Sequence, residues 1–211
     1  MEKSSPKNRI SFFIDGFNVY HALEDRKSFH KYKWLDYSSL AKCFIVSKDK
    51  IADIYYFSAY TDWDQGKVER HRIFINALKM KGVKIILGKF KLRDKHCRVC
   101  FKNYKAHEEK QTDVNISIQL FQNAHNDTFD TAILVTGDSD IIPAVKAIKR
   151  TFPMKKIGLL IPIGRRAEEL KEECDFHMKM KEKHLRDSQF PDKIIIDHEN
   201  NLSLDRPLTW I

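Results

Sequence analysis

Five short apolar runs punctuate this sequence, and the stretches between them have helical periodicity. The runs lie at residues 10–15 (ISFFID), 51–60 (IADIYYFSAY), 83–90 (VKIILGKF), 130–138 (DTAILVTGD) and 155–163 (KKIGLLIPI). They are nearly unbroken: between Ile10 and Ile14 only Ser11 is polar. A strand apolar on both faces needs cover on both faces, as in a parallel sheet. Strands alternating with helices predict βαβ units, right-handed crossovers and an α/β fold with helices on both sides of the sheet.

Helices are expected from Asn18 to about Asp25, over 36–46 with Asp36 or Ser38 as cap, and over 66–81 with Val68, Ile75 and Leu78 on one face and Gly82 as C-cap. Others are expected over 108–125, where Val114, Ile118 and Phe121 recur at helical spacing, over 141–150 with Pro143 in the first turn, and over 165–174. Residues 26–36 read as a polar and aromatic connection. A length of 211 residues suits one domain with appendages. The boundaries read as a flexible N-terminus at 1–9, a domain at 10–184 with a basic insertion at 91–107, and an extension at 185–211. That extension reads as a short strand, a turn at Glu199–Asn201 and an extended end, with Pro207 and Trp210 packing back on the core.

Two of the runs end on carboxylates. Asp15 closes the first, with Asn18 three residues later; Asp138 closes the fourth, with Asp140 two residues on. Ligands of an open parallel sheet bind at the carboxyl ends of its strands. If the first and fourth strands are neighbours, three carboxylates converge, repel one another, and suit a hard divalent cation such as Mg²⁺ or Mn²⁺. Asp113 adds a fourth, placed beside Val114 at the edge of the expected buried stripe. Glu109 lies four residues before it and shares its face if the helix has already begun. Each acid also has a plainer reading. Ser139 and Asp140 suit helix caps, Asp113 and Glu109 suit a first helical turn, and Asn18 suits an N-cap.

The chain is basic, with net charge +9 and a pI near 9.3, which points to a polyanionic partner. Metal plus polyanion suggests phosphodiester chemistry. No apolar run approaches the ~20 residues of a membrane span, and the N-terminus lacks the apolar segment of a signal peptide. The expectation is a cytoplasmic protein with no membrane partner.

"FIDGFNVYHAL" and "EEKQTDVNISIQLFQNAHNDTFDTAILVTGDSDIIPAVKAIK" resemble, in order and spacing, the two signature blocks of the NYN domain family, a branch of the PIN-like nucleases. The resemblance covers roughly residues 10–175. It implies a Rossmann-like three-layer α/β/α sandwich with a central parallel sheet, and a metal-dependent ribonuclease activity. By motif, Asp15, Asp113, Asp138 and Asp140 would be the metal-coordinating acids. Asn18 and Ser139 would support metal or phosphate, Thr136 would line the site, and Glu109 is a weaker member. One or two Mg²⁺ or Mn²⁺ ions would activate the attacking water and stabilise the leaving oxygen.

The insertion carries two further features. Cys97 and Cys100 have zinc-knuckle spacing, with His96 and His107 as partners to complete a site; a lone CxxC is half of one, and its plainer reading is a reduced pair in a flexible loop. Sharing of ligands across a homo-oligomer would complete it another way. Arg93, Lys95, Arg98, Lys102 and Lys105, interleaved with Phe101 and Tyr104, read as a grip for single-stranded RNA, or else as a solvated loop. Arg165 and Arg166, after the fifth strand, would add phosphate contacts.

Two functions remain open: a metal-dependent endoribonuclease, and an RNA-binding regulatory module whose acids hold a structural metal. A haloacid-dehalogenase-type phosphatase fits poorly, because it needs a second Asp two residues after the nucleophile, and Gly16 and Phe17 follow Asp15.

Overall fold

The computed structural model describes residues 8–61, 63–197 and 202–210. Its framework is a six-stranded parallel sheet built from β1 (Asn8–Asp15), β2 (Asp49–Ser58), β3 (Lys84–Leu87), β6 (Thr131–Val135), β7 (Lys156–Ile161) and β8 (Phe176–Lys179). The spatial order is β3-β2-β1-β6-β7-β8. The chain therefore winds outward from β1 to β3, returns to the centre, and winds outward again on the other side.

Burial explains the unbroken apolar runs. In β1, Phe12 and Ile14 enter one core and Phe13 the other; in β6, Ile133 and Val135 enter the first and Leu134 the second. Both faces of the central strands are dry, as parallel pairing under two helical layers demands. One layer holds α1 (Gly16–Glu24), α2 (Tyr37–Lys42), α3 (Gln65–Met80) and α7 (Glu182–Asp187); the other holds α4 (Thr112–His125), α5 (Ile142–Thr151) and α6 (Glu168–Glu173). The result is the three-layer α/β/α sandwich of the PIN-like type. Among the described residues no helix is long and apolar enough to cross a membrane.

Several sequence expectations need correction. Residues 91–107 are not a loop. They belong to an antiparallel hairpin of β4 (Lys89–His96) and β5 (Asn103–Lys110), which forms its own two-stranded sheet. Consequently α4 begins at Thr112, and Glu109 sits on a strand, not one helical turn before Asp113. Val114, Ile118 and Phe121 are exposed, at 58%, 51% and 38%. The buried stripe of α4 is Thr112, Ile116, Leu120 and Asn123. Both sets have helical spacing, and periodicity alone does not say which one meets the sheet. Asp138 caps the short 3₁₀ turn Ser139–Ile141 that leads into α5, its side chain accepting from the Asp140 N–H at 3.2 Å; α5 itself has no side-chain cap, from Ser139 or Asp140 or otherwise.

Strand β8 was not expected; its residues are mostly exposed because it is an edge strand. Beyond it, β9 (Lys193–Asp197) and β10 (Leu202–Asp205) pair antiparallel. Pro207 and Trp210 are buried, and Trp210 packs against Trp34 and Phe74 at centroid distances of 6.3 and 5.7 Å. The turn expected at Glu199–Asn201 and the N-terminus expected at 1–9, as far as residue 7, lie outside the described residues; Asn8 and Arg9 open β1.

Candidate active site

The sheet order creates a switch point between β1 and β6, where the two halves wind away from each other and leave a crevice at the strands' carboxyl ends. Register decides what faces it. Ile14 is level with Val135, so Thr136 is the first residue of its strand end to stand beside Asp15. The Thr136 hydroxyl donates to Asp15 Oδ2 at 2.9 Å and accepts from the Asp138 N–H at 3.1 Å. The other Asp15 oxygen, Oδ1, accepts from the Asn18 N–H at 3.0 Å and so caps α1. Asn18 turns its own Oδ1 across the gap to the Gly137 N–H at 3.0 Å. The two signature strand ends are thus tied to each other by a largely shielded polar network.

Asp15 therefore caps α1 and lines the crevice at once. It is 5% exposed, and burial first, then the charges of Asp113 and Asp138, push its pKa up to about 6 against the lowering effect of its two hydrogen bonds. Asp113 is also pushed up to about 6, mainly by burial and then by Asp138, Glu109 and Asp140. Groups in one crevice that raise one another's pKa are a functional-site signature. Asp113 is positioned by an unusual turn: Gln111 has φ +81°, a left-handed backbone that non-glycine residues adopt at a cost. Glu109 anchors that turn, its Oε1 accepting from both the backbone N–H (3.2 Å) and the hydroxyl of Thr112.

The crevice has a volume of about 780 Å³. Asp15, Asn18, Glu109, Asp113, Asp138 and Arg165 line it. Thr136 lies beneath, 2% exposed; Asp140 and Ser139 are exposed, and Asp140 stands near enough to raise Asp113. Arg165 pairs with Asp25 at 3.0 Å, whereas Arg166 is exposed and outside the crevice. Among the described residues no three His, Cys, Asp or Glu side chains are grouped as a metal-binding cluster. The donor set nonetheless has the chemistry of a hard-cation site: carboxylates from three elements, without a lysine or arginine paired to Asp15 or Asp113 among the causes of their shifts.

The insertion's basic and aromatic residues stand apart from the crevice. Arg93, Lys95, Arg98, Phe101, Lys102, Tyr104 and Lys105 are on the outer part of the hairpin and do not line the crevice. Lys95 is paired with Glu108 at 2.7 Å. What reaches the crevice is the hairpin's base: Phe90, opposite Glu109, and His107, opposite Leu92. His107 stacks on Trp63 with centroids 3.5 Å apart, and Phe90 meets both Trp63 (4.8 Å) and Phe17 (5.4 Å) edge-on. His107 is consequently five register positions from Cys97 and cannot join it on a zinc ion, and the His96 ring nitrogen Nδ1 is engaged with Asn103 Oδ1 at 2.9 Å.

Trp63, Lys67, Arg70 and His71, which also line the crevice, were not singled out in the sequence. They follow β2, which flanks β1: Trp63 is in the loop after β2, and Lys67, Arg70 and His71 are in the first two turns of α3, so all four open onto the same switch point. The signal that could have found them is "TDWDQGK", an aromatic and a cap at a strand end. His71 is half-buried beside Ser58 (3.4 Å), and desolvation depresses its pKa to about 4, so it is neutral at pH 7.

Gly16 shows how tightly the site is built. A Cβ there would stand 2.6 Å from the Tyr56 ring and 2.7 Å from the Phe57 carbonyl oxygen. Gly16→Ala is expected to cost about 1–3 kcal/mol, as overpacking does, measured by urea denaturation, and to displace Asp15 relative to Thr136.

A family model for the NYN domain matches residues 9–181. The chain belongs to the NYN domain family. It is also 27% identical over 190 residues to the 6-hydroxy-3-succinoylpyridine 3-monooxygenase HspA of Pseudomonas putida, a match covering 73% of this chain and 59% of that protein. The match thus spans under two thirds of that relative's length. A Vibrio parahaemolyticus protein of unknown function, known from a crystal structure, shares the fold with a TM-score of 0.62 at 19% identity, over 89% of this chain and 99% of that one. The NYN family's residue pattern and the switch-point crevice coincide: Asp15, Asn18, Asp113 and Asp138 of the signature blocks all line it.

Proposed function

We propose that this NYN-domain chain is a metal-dependent endoribonuclease hydrolysing phosphodiester bonds of single-stranded RNA. The observation that carries the reading is the convergence of Asp15, Asp113 and Asp138, from three separate elements, at the switch-point crevice of a basic chain. A Mg²⁺ or Mn²⁺ ion would be held by these three acids with Asp140 at the rim, and would supply charge against the phosphate and a more acidic water. Thr136 and Asn18 hold Asp15 and the 137–138 backbone in position. Lys67, Arg70 and Arg165 offer phosphate contacts, and the Trp63 and Phe90 rings offer faces and edges for unpaired bases.

The test is cleavage of a labelled single-stranded RNA with Mn²⁺, with Mg²⁺ and with EDTA, by the wild-type and Asp138→Asn proteins. Cleavage that needs metal and disappears in the variant supports the reading. Tight RNA binding without cleavage favours the regulatory module instead. Trp63 is 44% exposed, so its removal costs little folding energy. Trp63→Ala is expected to weaken single-stranded RNA binding about tenfold to a hundredfold, the worth of one base stack, measured by fluorescence anisotropy at fixed salt.

A second reading rests on the crevice's inner lining of Tyr37, Tyr56, Phe74 and Trp210, which suits a small aromatic ring. The relative named for acting on a hydroxypyridine makes 6-hydroxy-3-succinoylpyridine the ligand to titrate. Saturable binding of it without RNA cleavage would replace the nuclease reading.

A further inference from the structure

We propose that the tip of the β4–β5 hairpin is half of a zinc site, completed by the same two cysteines of a second copy of this chain. The turn has the geometry of a metal knuckle. The Cys97 N–H donates to the Lys102 carbonyl at 2.9 Å and the Phe101 N–H to the Cys97 carbonyl at 2.9 Å, closing the loop around the first cysteine. The Cys100 N–H then points at Cys97 Sγ, at 3.5 Å. Phe101 has φ +55°, a left-handed backbone expected of glycine, so the chain accepts strain to hold this turn.

Coordination arithmetic brings in the second copy. Zinc in a structural site takes four ligands. Each tip offers two thiols, and among the described residues no third His, Cys, Asp or Glu stands with them. The tip is accessible to a partner: Cys100 is exposed, and Val99 and Phe101 are 88% and 74% exposed, an apolar rim suited to burial between two tips. Charge agrees. Four thiolates on Zn²⁺ leave two net negative charges, and Arg98 and Lys102 from each copy lie beside them in sequence and exposed. In forming the site four S–H bonds break, four Zn–S bonds form, and four protons pass to solvent. Neither ligand pair belongs to the crevice, so the inference stands apart from the nuclease reading.

The full chain, reduced with a phosphine and stripped of metal, is titrated with ZnCl₂, then with EDTA. Bound zinc is read by a colorimetric chelator and mass by light scattering. The expected result is one zinc per two chains, a dimer that EDTA returns to monomer, and a thiolate-to-cobalt charge-transfer band when Co²⁺ replaces zinc. Cys97→Ser and Cys100→Ser, at sites outside the core, should each abolish the dimer and the band; Cys43→Ser should retain both. Zinc bound to a monomer, a dimer that survives EDTA, or zinc uptake unchanged in the two variants would each overturn the proposal.

Discussion

Asp15→Asn is expected to lower RNA cleavage roughly 10²–10⁴-fold, the several kcal/mol a bound cation supplies at about 1.4 kcal/mol per decade. The amide keeps the cap, because its oxygen can still accept from the Asn18 N–H that now bonds Asp15 Oδ1. It loses the charge that would hold a cation. RNA binding should change little, since the stacking and cationic groups lie on other elements. Single-turnover cleavage beside anisotropy measurements separates the two effects. Cleavage at wild-type rate in the variant would remove Asp15 from the site.

The same substitution is expected to stabilise the metal-free protein. Asp15 titrates at about 6 folded against 3.8 as a free side chain, so the folded state binds more protons between those values. Stability from this group is complete below about pH 4, falls as pH rises through about 6, and is lost above it. The loss is about 3 kcal/mol at neutral pH, at 1.36 kcal/mol per pKa unit. Asp113 titrates in the same direction. Below about pH 4 the ion-paired acids act the other way: Glu108, held near 2 by Lys110 and Lys95, and Asp130, held low by Arg9, lose their partners' support as they protonate. Urea denaturation in EDTA should therefore show wild-type stability greatest near pH 4–5, and Asp15→Asn more stable than wild type at pH 7.5. Adding Mn²⁺ should raise the wild-type midpoint and leave the variant's where it was. A variant less stable than wild type in EDTA would mean that the Thr136 hydrogen bond outweighs the buried charge. Activity and stability moving in opposite directions at one residue is what a site built from repelling acids produces.

Much of the architecture was legible because apolar runs report burial directly. Ile10–Ile14, residues 132–135 and 157–161 are buried on both faces and, Ser11 apart, carry no polar side chain, as a doubly covered parallel sheet requires. Cap chemistry was legible too, at Asp36 and Gly82, where the side-chain oxygen and the φ of +76° are local properties. The hairpin was not. Its strands are polar and exposed on most positions, so they carry no burial signal and read as a loop. The buried face of α4 was also misjudged: a helix with apolar residues all round offers two stripes, and only the neighbour it meets selects Ile116 and Leu120 over Val114 and Ile118.

For the site, the sequence by itself determined the candidate acids: Asp15, Asp113 and Asp138, each near an element's end, in a chain with excess positive charge. Strand order decided the rest. Placing β6 beside β1 puts Thr136 against Asp15, and placing β2 on the other side brings Trp63, Arg70 and His71 to the same crevice. Residues 120 positions apart meet through backbone pairing between strands, an interaction whose partner no local pattern of side chains specifies. The same pairing carries the base of the hairpin, with Phe90 and His107, to the crevice and its cysteine tip away from it.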